Sequence, residues 1–160
     1  MKVILPVDVV VAKEVTRGTE YKTIPAEKIP ASWHIVDVGR ATLDLMEEAL
    51  ATAQTVFWNG PLGVFEIPSF AHGTRAIARY LAIRADAGAT VVVGGGDSVA
   101  AITQQGLADR FTHISTGGGA SLEFLEGRAL PGVDVLQDRP APEPKPKAKR
   151  ASRATAKSAK

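Results

Sequence analysis

The sequence contains no cysteine. That excludes a disulfide framework, a thiolate metal site and a thiol nucleophile, and it fits a reducing compartment. Histidine is scarce. His34, His72 and His113 show no metal-ligand spacing. They read instead as a strand end, a helix surface and a semi-buried site. A long apolar run is also missing. The first one, Val3 to Val11, is broken by Pro6 and Asp8 and is followed by no small-residue cleavage site. It makes a poor signal peptide and is far too short to span a bilayer. These absences point to a cytoplasmic, soluble protein with no membrane partner.

Acidic residues are nearly absent from one region only. Residues 139–160 hold eight of the 19 Lys and Arg beside a single acid, Glu143. The preceding 138 residues therefore carry 11 basic and 16 acidic groups, a net charge of −5. The overall +2 belongs to the end of the chain, so it says nothing about nucleic-acid binding by the folded part. Pro140 onward is low-complexity Pro, Ala and Lys that cannot bury enough apolar area to fold. The expected division is a folded domain over 1–138 and a disordered basic tail over 139–160.

What is present is a series of apolar runs ending in glycine. Lys2 to Ala12 reads as a buried strand, with Pro6 near its start. Residues 13–31 read as a connection, with a short extended pair around Glu20 to Ile24. Trp33 to Gly39 is a second strand. Ala41 to Ala53 is a helix with Leu43, Met46, Leu50 and Ala53 at helical spacing and Thr42 as its cap. Asp44, Glu47 and Glu48 read as its solvated face. Thr55 to Trp58 is a third strand, and Trp58, like Trp33, is expected in the core. Ser69 to Ala87 is the longest helix, with Phe70, Ile77, Leu81 and Ala85 in one stripe and Gly88 as its stop. Val91 to Val93 reads as a strand buried on both faces. Thr112 to Ile114 is a fifth strand, and Leu122 to Glu126 a late helix. Strands alternating with helices through short turns predict an α/β fold with a parallel sheet.

Three loops carry the chemistry. Gly94-Gly95-Gly96-Asp97-Ser98 strips the side chains from a strand end and leads into a helix, with Asp97 or Ser98 as N-cap. Free N–H groups and the positive helix end then face any anion. Asp97 can hold a magnesium ion and Ser98 can donate to a phosphate oxygen. Ser115-Thr116-Gly117-Gly118-Gly119-Ala120-Ser121 repeats the pattern on another strand. Strand C-termini of a parallel sheet share one edge, so both loops face one cleft. The third loop, Asn59-Gly60-Pro61-Leu62-Gly63-Val64-Phe65-Glu66, sits on the same edge. There Pro61 and Val64 can pack on a flat base, Glu66 can accept from ribose hydroxyls, and Asn59 can reach ribose or phosphate. Tight turns without a ligand, with Glu66 merely exposed, are the plainer alternative for each loop. Gly96-Asp97-Ser98-Val99-Ala100 also approaches the nucleophile elbow of hydrolases but ends in Ala.

These stretches resemble phosphoglycerate kinase. Trp58 to Glu66, Gly94 to Ser98 and His113-Ile-Ser-Thr-Gly-Gly-Gly-Ala-Ser-Leu-Glu-Phe-Leu-Glu-Gly127 carry the likeness. Leu5 to Ala12 and Val36-Asp37-Val38-Gly39 extend it, and the match keeps the family's order from about Lys2 to Val135. The resemblance implies the nucleotide-binding C-terminal part of a two-domain enzyme. Its fold would be a Rossmann-like three-layer α/β domain, incomplete here, with the disordered tail outside the family pattern. The family moves a phosphoryl group between 1,3-bisphosphoglycerate and ADP, giving 3-phosphoglycerate and ATP with Mg2+. By motif, Asp97 would bind the nucleotide's magnesium, and Gly95, Gly96 and Ser98 would contact its phosphates. Glu66 would hold the ribose with help from Asn59, and Pro61, Val64 and Val36 would flank the adenine. Gly118 and Gly119 would stabilise the phosphoryl group in transit.

The sequence departs from the family at Arg40, where Pro is usual, and at Ile35, often Gly. The family's N-terminal substrate domain and its phosphate-contacting lysines have no counterpart here. The implied reading is a nucleotide-binding fragment, inactive alone, that meets 3-phosphoglycerate only if that domain is supplied. The alternative is a nucleotide-binding remnant whose basic tail binds a polyanionic partner.

Overall fold

The structure is a computed structural model and describes residues 2–136. The expected tail over 139–160 lies outside the described residues. The main unit, residues 1–129, contains two sheets. Residues 130–136 belong to a second unit and carry one short helix, Pro131–Asp134.

Beside the foreseen parallel sheet stands an antiparallel one that the alternation of strands and helices does not predict. Strands β1 (Asp8–Ala12), β2 (Tyr21–Pro25) and β3 (His34–Val38) form an antiparallel sheet in the order β2-β1-β3. The reason is connection length. Only eight residues separate β1 from β2, enough for a hairpin but not for a parallel crossover. The extended segment foreseen near Glu20 to Ile24 is β2. Lys2 to Val7 are not part of β1, since the ladder starts only after Pro6. Trp33 is half-buried rather than in the core, with the Lys22 ammonium 4.4 Å from its ring centre and that of Lys13 at 5.6 Å.

Helix α1 (Arg40–Leu50) follows β3, and Gly39 is its N-cap. Thr42 does not cap it. Asp8, from β1, does so across space. Its Oδ2 accepts from the Ala41 N–H at 3.1 Å and its Oδ1 from the Thr42 N–H at 2.8 Å. The Thr42 hydroxyl adds a bond to the same carboxylate at 2.6 Å. Burial raises the Asp8 carboxyl, but the bonds from Thr42 and Ala41 outweigh it and hold the group below the ordinary carboxylate value. A depressed acid contributes stability above its unfolded value and loses it as pH falls through the folded value. Asp8→Ala is therefore expected to cost about 1 kcal/mol at neutral pH, as for other lost caps. It is also expected to flatten the acid limb of the stability curve, read by urea unfolding across pH.

The second sheet is parallel, as foreseen: β4 (Thr55–Asn59), β5 (Thr90–Gly94) and β6 (His113–Ser115), with β5 central. Helix α2 (His72–Asp86) joins β4 to β5, and α3 (Gly96–Gln104) joins β5 to β6. Phe70 lies in the 3-10 turn Pro68–Phe70 ahead of α2, not in its stripe. Ile77, Ala78, Leu81 and Ala82 of α2 and Ile102 of α3 bury Trp58, Val91 and Val93 on one sheet face. Phe57 and Val92 alternate to the other face and are half-buried. Helix α4 (Gly118–Leu125) follows β6. It begins four residues earlier than its apolar pattern suggested, since the glycines form its first turn. Among the described residues no helix is long and apolar enough to cross a membrane.

Candidate functional site

Register brings the three loops to one level. Asn59 pairs with Gly94 across β4 and β5, and Gly94 with Ser115 across β5 and β6. Each loop thus leaves the sheet from the same row.

Glycine lets them touch there. Gly95 has φ +88°, and a Cβ on it would lie 2.8 Å from Asn59 Oδ1. A Cβ on Gly118 would lie 2.9 Å from the Gly95 Cα and 3.3 Å from Asn59 Oδ1. Asn59, Gly95 and Gly118 are therefore one packed knot. The Gly95 N–H is already used, donating to the Ser115 carbonyl at 3.1 Å. A Cβ on Gly96 or Gly119, by contrast, would meet open space. The Ser115 and Ser121 hydroxyls lie 2.7 Å apart and brace the loop after β6.

The helix ends at this edge differ from the others. The N-terminus of α1 is filled by Asp8. That of α2 is filled by Asp37, whose Oδ2 accepts from the Gly73 N–H at 2.8 Å. No side-chain bond caps α3 or α4, whose N-caps are Gly95 and Gly117. Val99 and Ser121 are the first residues to bond back, to Gly95 and Gly117. The N–H groups of Gly96, Asp97 and Ser98, and of Gly118, Gly119 and Ala120, thus have no intrahelical acceptor. Two helix dipoles add positive potential at the same edge.

Ser98 and Asp97 separate in role. Neither is the N-cap; both lie in the first turn of α3. Ser98 is fully buried, and its Oγ accepts from the Gly60 N–H at 2.7 Å. The side chain ties α3 to the Asn59 loop, and the hydroxyl keeps its own proton to donate. No histidine is a hydrogen-bond partner of this hydroxyl. His113 is exposed rather than semi-buried. Asp97 is exposed, with no hydrogen-bond or ion-pair partner among the described residues.

The Asn59 loop is held at nearly every step. Trp58 Nε1 donates to the Gly60 carbonyl at 2.7 Å. The buried Thr74 hydroxyl accepts from Leu62 and Gly63 at 3.1 and 3.3 Å, and the Val64 N–H donates to the Val36 carbonyl at 2.9 Å. Val36 is only 1% exposed, enclosed with Phe70 and Val64. Pro61 and Val64 are half-buried and Glu66 is exposed. Trp58, Thr74 and Asp37 escape sequence reading as parts of the site. Only the paired glycines Gly60 and Gly63 hint that something packs on this loop. Among the described residues no group of three or more His, Asp or Glu could hold a metal ion by itself.

A family model described as phosphoglycerate kinase matches residues 1–128. This chain belongs to the phosphoglycerate kinase family. The phosphoglycerate kinase of Rubrobacter xylanophilus is 55% identical over 138 residues, 86% of this chain and 34% of that protein. The cytosolic phosphoglycerate kinase of Triticum aestivum is 54% identical over the same shares. The solved phosphoglycerate kinase of Coxiella burnetii matches with a TM-score of 0.73 at 42% identity, covering 81% of this chain and 33% of that one. The chain thus spans about a third of the length of these relatives. Membership agrees with the parallel sheet flanked by helices.

Proposed function

We propose that this chain is the nucleotide-phosphate side of a phosphoglycerate kinase, binding ADP or ATP with Mg2+ in the cytoplasm. The observation that carries the proposal is the pair of uncapped helix N-termini, α3 and α4, set side by side on one sheet edge. The other two helices that follow strands have carboxylates in that position. An edge so arranged attracts two phosphate-sized anions, which suits transfer of a phosphoryl group between them.

Within that reading, the N–H groups of Gly96, Asp97 and Ser98 receive the nucleotide phosphates, and Gly95 keeps the loop close to Asn59. Asp97 suits magnesium, which is commonly held by one or two carboxylates together with phosphate oxygens and water. When bound, the ion neutralises phosphate charge. The N–H groups of Gly118 and Gly119 face the phosphoryl group in transit. Asn59 and Glu66 take the ribose, while Pro61 and Val64 offer the base an apolar edge. The acceptor, 3-phosphoglycerate, depends on the part of the family's length that this chain does not span. The isolated chain is expected to bind nucleotide without turning over.

Calorimetric titration of the chain with ADP, with and without Mg2+, tests this. Saturable binding strengthened by Mg2+ is expected. Asp97→Asn is expected to remove that strengthening, a loss of about tenfold, as for a lost charged contact. Absence of saturable binding at millimolar ADP would sink the proposal.

A further inference from the structure

Asp37 is the most enclosed carboxylate in the described chain, 1% exposed at the end of β3, and no step proposed above uses it. Its Oδ1 accepts from the Val38 N–H at 2.9 Å and its Oδ2 from the Gly73 N–H at 2.8 Å. A Cβ on Gly63 would sit 2.5 Å from Oδ1 and 2.5 Å from the Phe70 carbonyl. The backbone of the Asn59 loop therefore rests directly on the carboxylate. On either side of that contact the loop is gripped by neighbours of the same two elements: by Thr74, next to Gly73, and by Val36, next to Asp37. Three residues further back, Gly60 is bonded to Ser98 in the first turn of α3. The contacts run from Asp37 to Gly63, Gly60, Ser98 and the open N–H groups.

We infer that Asp37 is a positioning residue for nucleotide binding, its carboxylate clamping residues 60–64 between β3 and α2 and so setting the loop against α3. The inference rests on the nucleotide reading of the site. A helix cap alone does not require this placement, since Asp8 caps α1 from a half-buried position. Burial raises the Asp37 carboxyl above its ordinary value, against the pull of the Gly73 and Val38 N–H groups and of His72. Such a group is costly to bury. The rigid seating of a binding loop is a return that a surface cap could not provide.

The test uses the 160-residue chain with Asp37→Ala, Asp37→Asn and Gly63→Ala, titrated with ADP and Mg2+ well below the melting temperature. Amide hydrogen exchange is followed in parallel. Asp37→Ala and Gly63→Ala are expected to raise the Kd for ADP about tenfold with unchanged stoichiometry, because the loop shifts and the site is not lost. Asp37→Asn, which keeps an acceptor oxygen for Gly73, is expected to fall between them and the parent. Exchange should quicken at Gly60, Leu62, Gly63 and Val64 while β5 keeps its protection. Unchanged Kd with a reduced number of binding sites and uniformly faster exchange would show a purely structural role and overturn the inference. If Asp37→Ala does not fold, the other two variants decide. If the parent chain binds no ADP, the nucleotide reading fails. The clamp is then judged by exchange alone: quickening confined to residues 60–64 supports it and uniform quickening overturns it.

Discussion

Gly118→Val is expected to abolish useful binding of magnesium–ADP, with a loss of about a hundredfold in affinity. The side chain has nowhere to go. Even its first carbon would lie 2.9 Å from the Gly95 Cα and 3.3 Å from Asn59 Oδ1. Backbone cannot rotate away as a flexible side chain can, so α4 and the Gly95 loop must separate. That moves the two sets of open N–H groups apart, and a ligand spanning both can no longer satisfy both. The knot sits at the strand ends and is no member of the hydrophobic cluster, so thermal stability should fall only by the about 1–3 kcal/mol typical of local overpacking. Gly119→Ala probes the same helix end without parting the loops. Its Cβ would meet open space, so the loops stay together. Titration calorimetry and a thermal melt on both variants separate the two effects. Equal affinities for Gly118→Val and the parent chain would show that the two glycine loops do not act on one ligand.

Phe70→Ala is expected to have the largest effect on stability, about 3–5 kcal/mol, the range for truncating a buried aromatic ring. Phe70 is fully buried and heads the largest buried side chains. It packs with Ala12 of β1, Val36 of β3 and Val64 of the Asn59 loop, and Tyr21 of β2 meets its ring edge-on at 5.9 Å. One ring thus joins the antiparallel sheet to the Asn59 loop. Domains are typically stable by only 5–15 kcal/mol, so the loss would take much of the margin. Urea unfolding at neutral pH checks it. A loss below about 1 kcal/mol would mean that the cavity closes by collapse, which contradicts a ring held on several sides.

The loops were legible because their signals are local. Gly94 to Gly96 and Gly117 to Gly119 each follow an apolar run, and both do end parallel strands at one edge. The stripe Ile77, Leu81 and Ala85 of α2 reads directly from helical spacing. Other features were not legible, for identifiable reasons. Lys2 to Val7 are apolar enough for a strand, but pairing begins only at Asp8, and apolar composition does not say where a partner lies. The apolar pattern starts α4 too late, because glycine reads as a helix breaker. At a first turn, the same residue is tolerated where bare N–H groups are needed. The position of Ser98 after three glycines suggests a phosphate donor, and its buried hydroxyl also accepts from Gly60, 38 positions earlier, a tie no local pattern records.

By itself the sequence determined the α/β class, the parallel strands with their glycine exits, and the family, since each depends on residue order over short stretches. Tertiary structure alone decided the antiparallel order β2-β1-β3, the contact of Gly118 with Gly95, and the carboxylates on α1 and α2. Asp8 reaches Thr42 across 34 positions and Asp37 reaches Gly73 across 36. Such bonds are set by which elements pack together, and no local pattern records them. They also decide which helix ends remain open to a ligand.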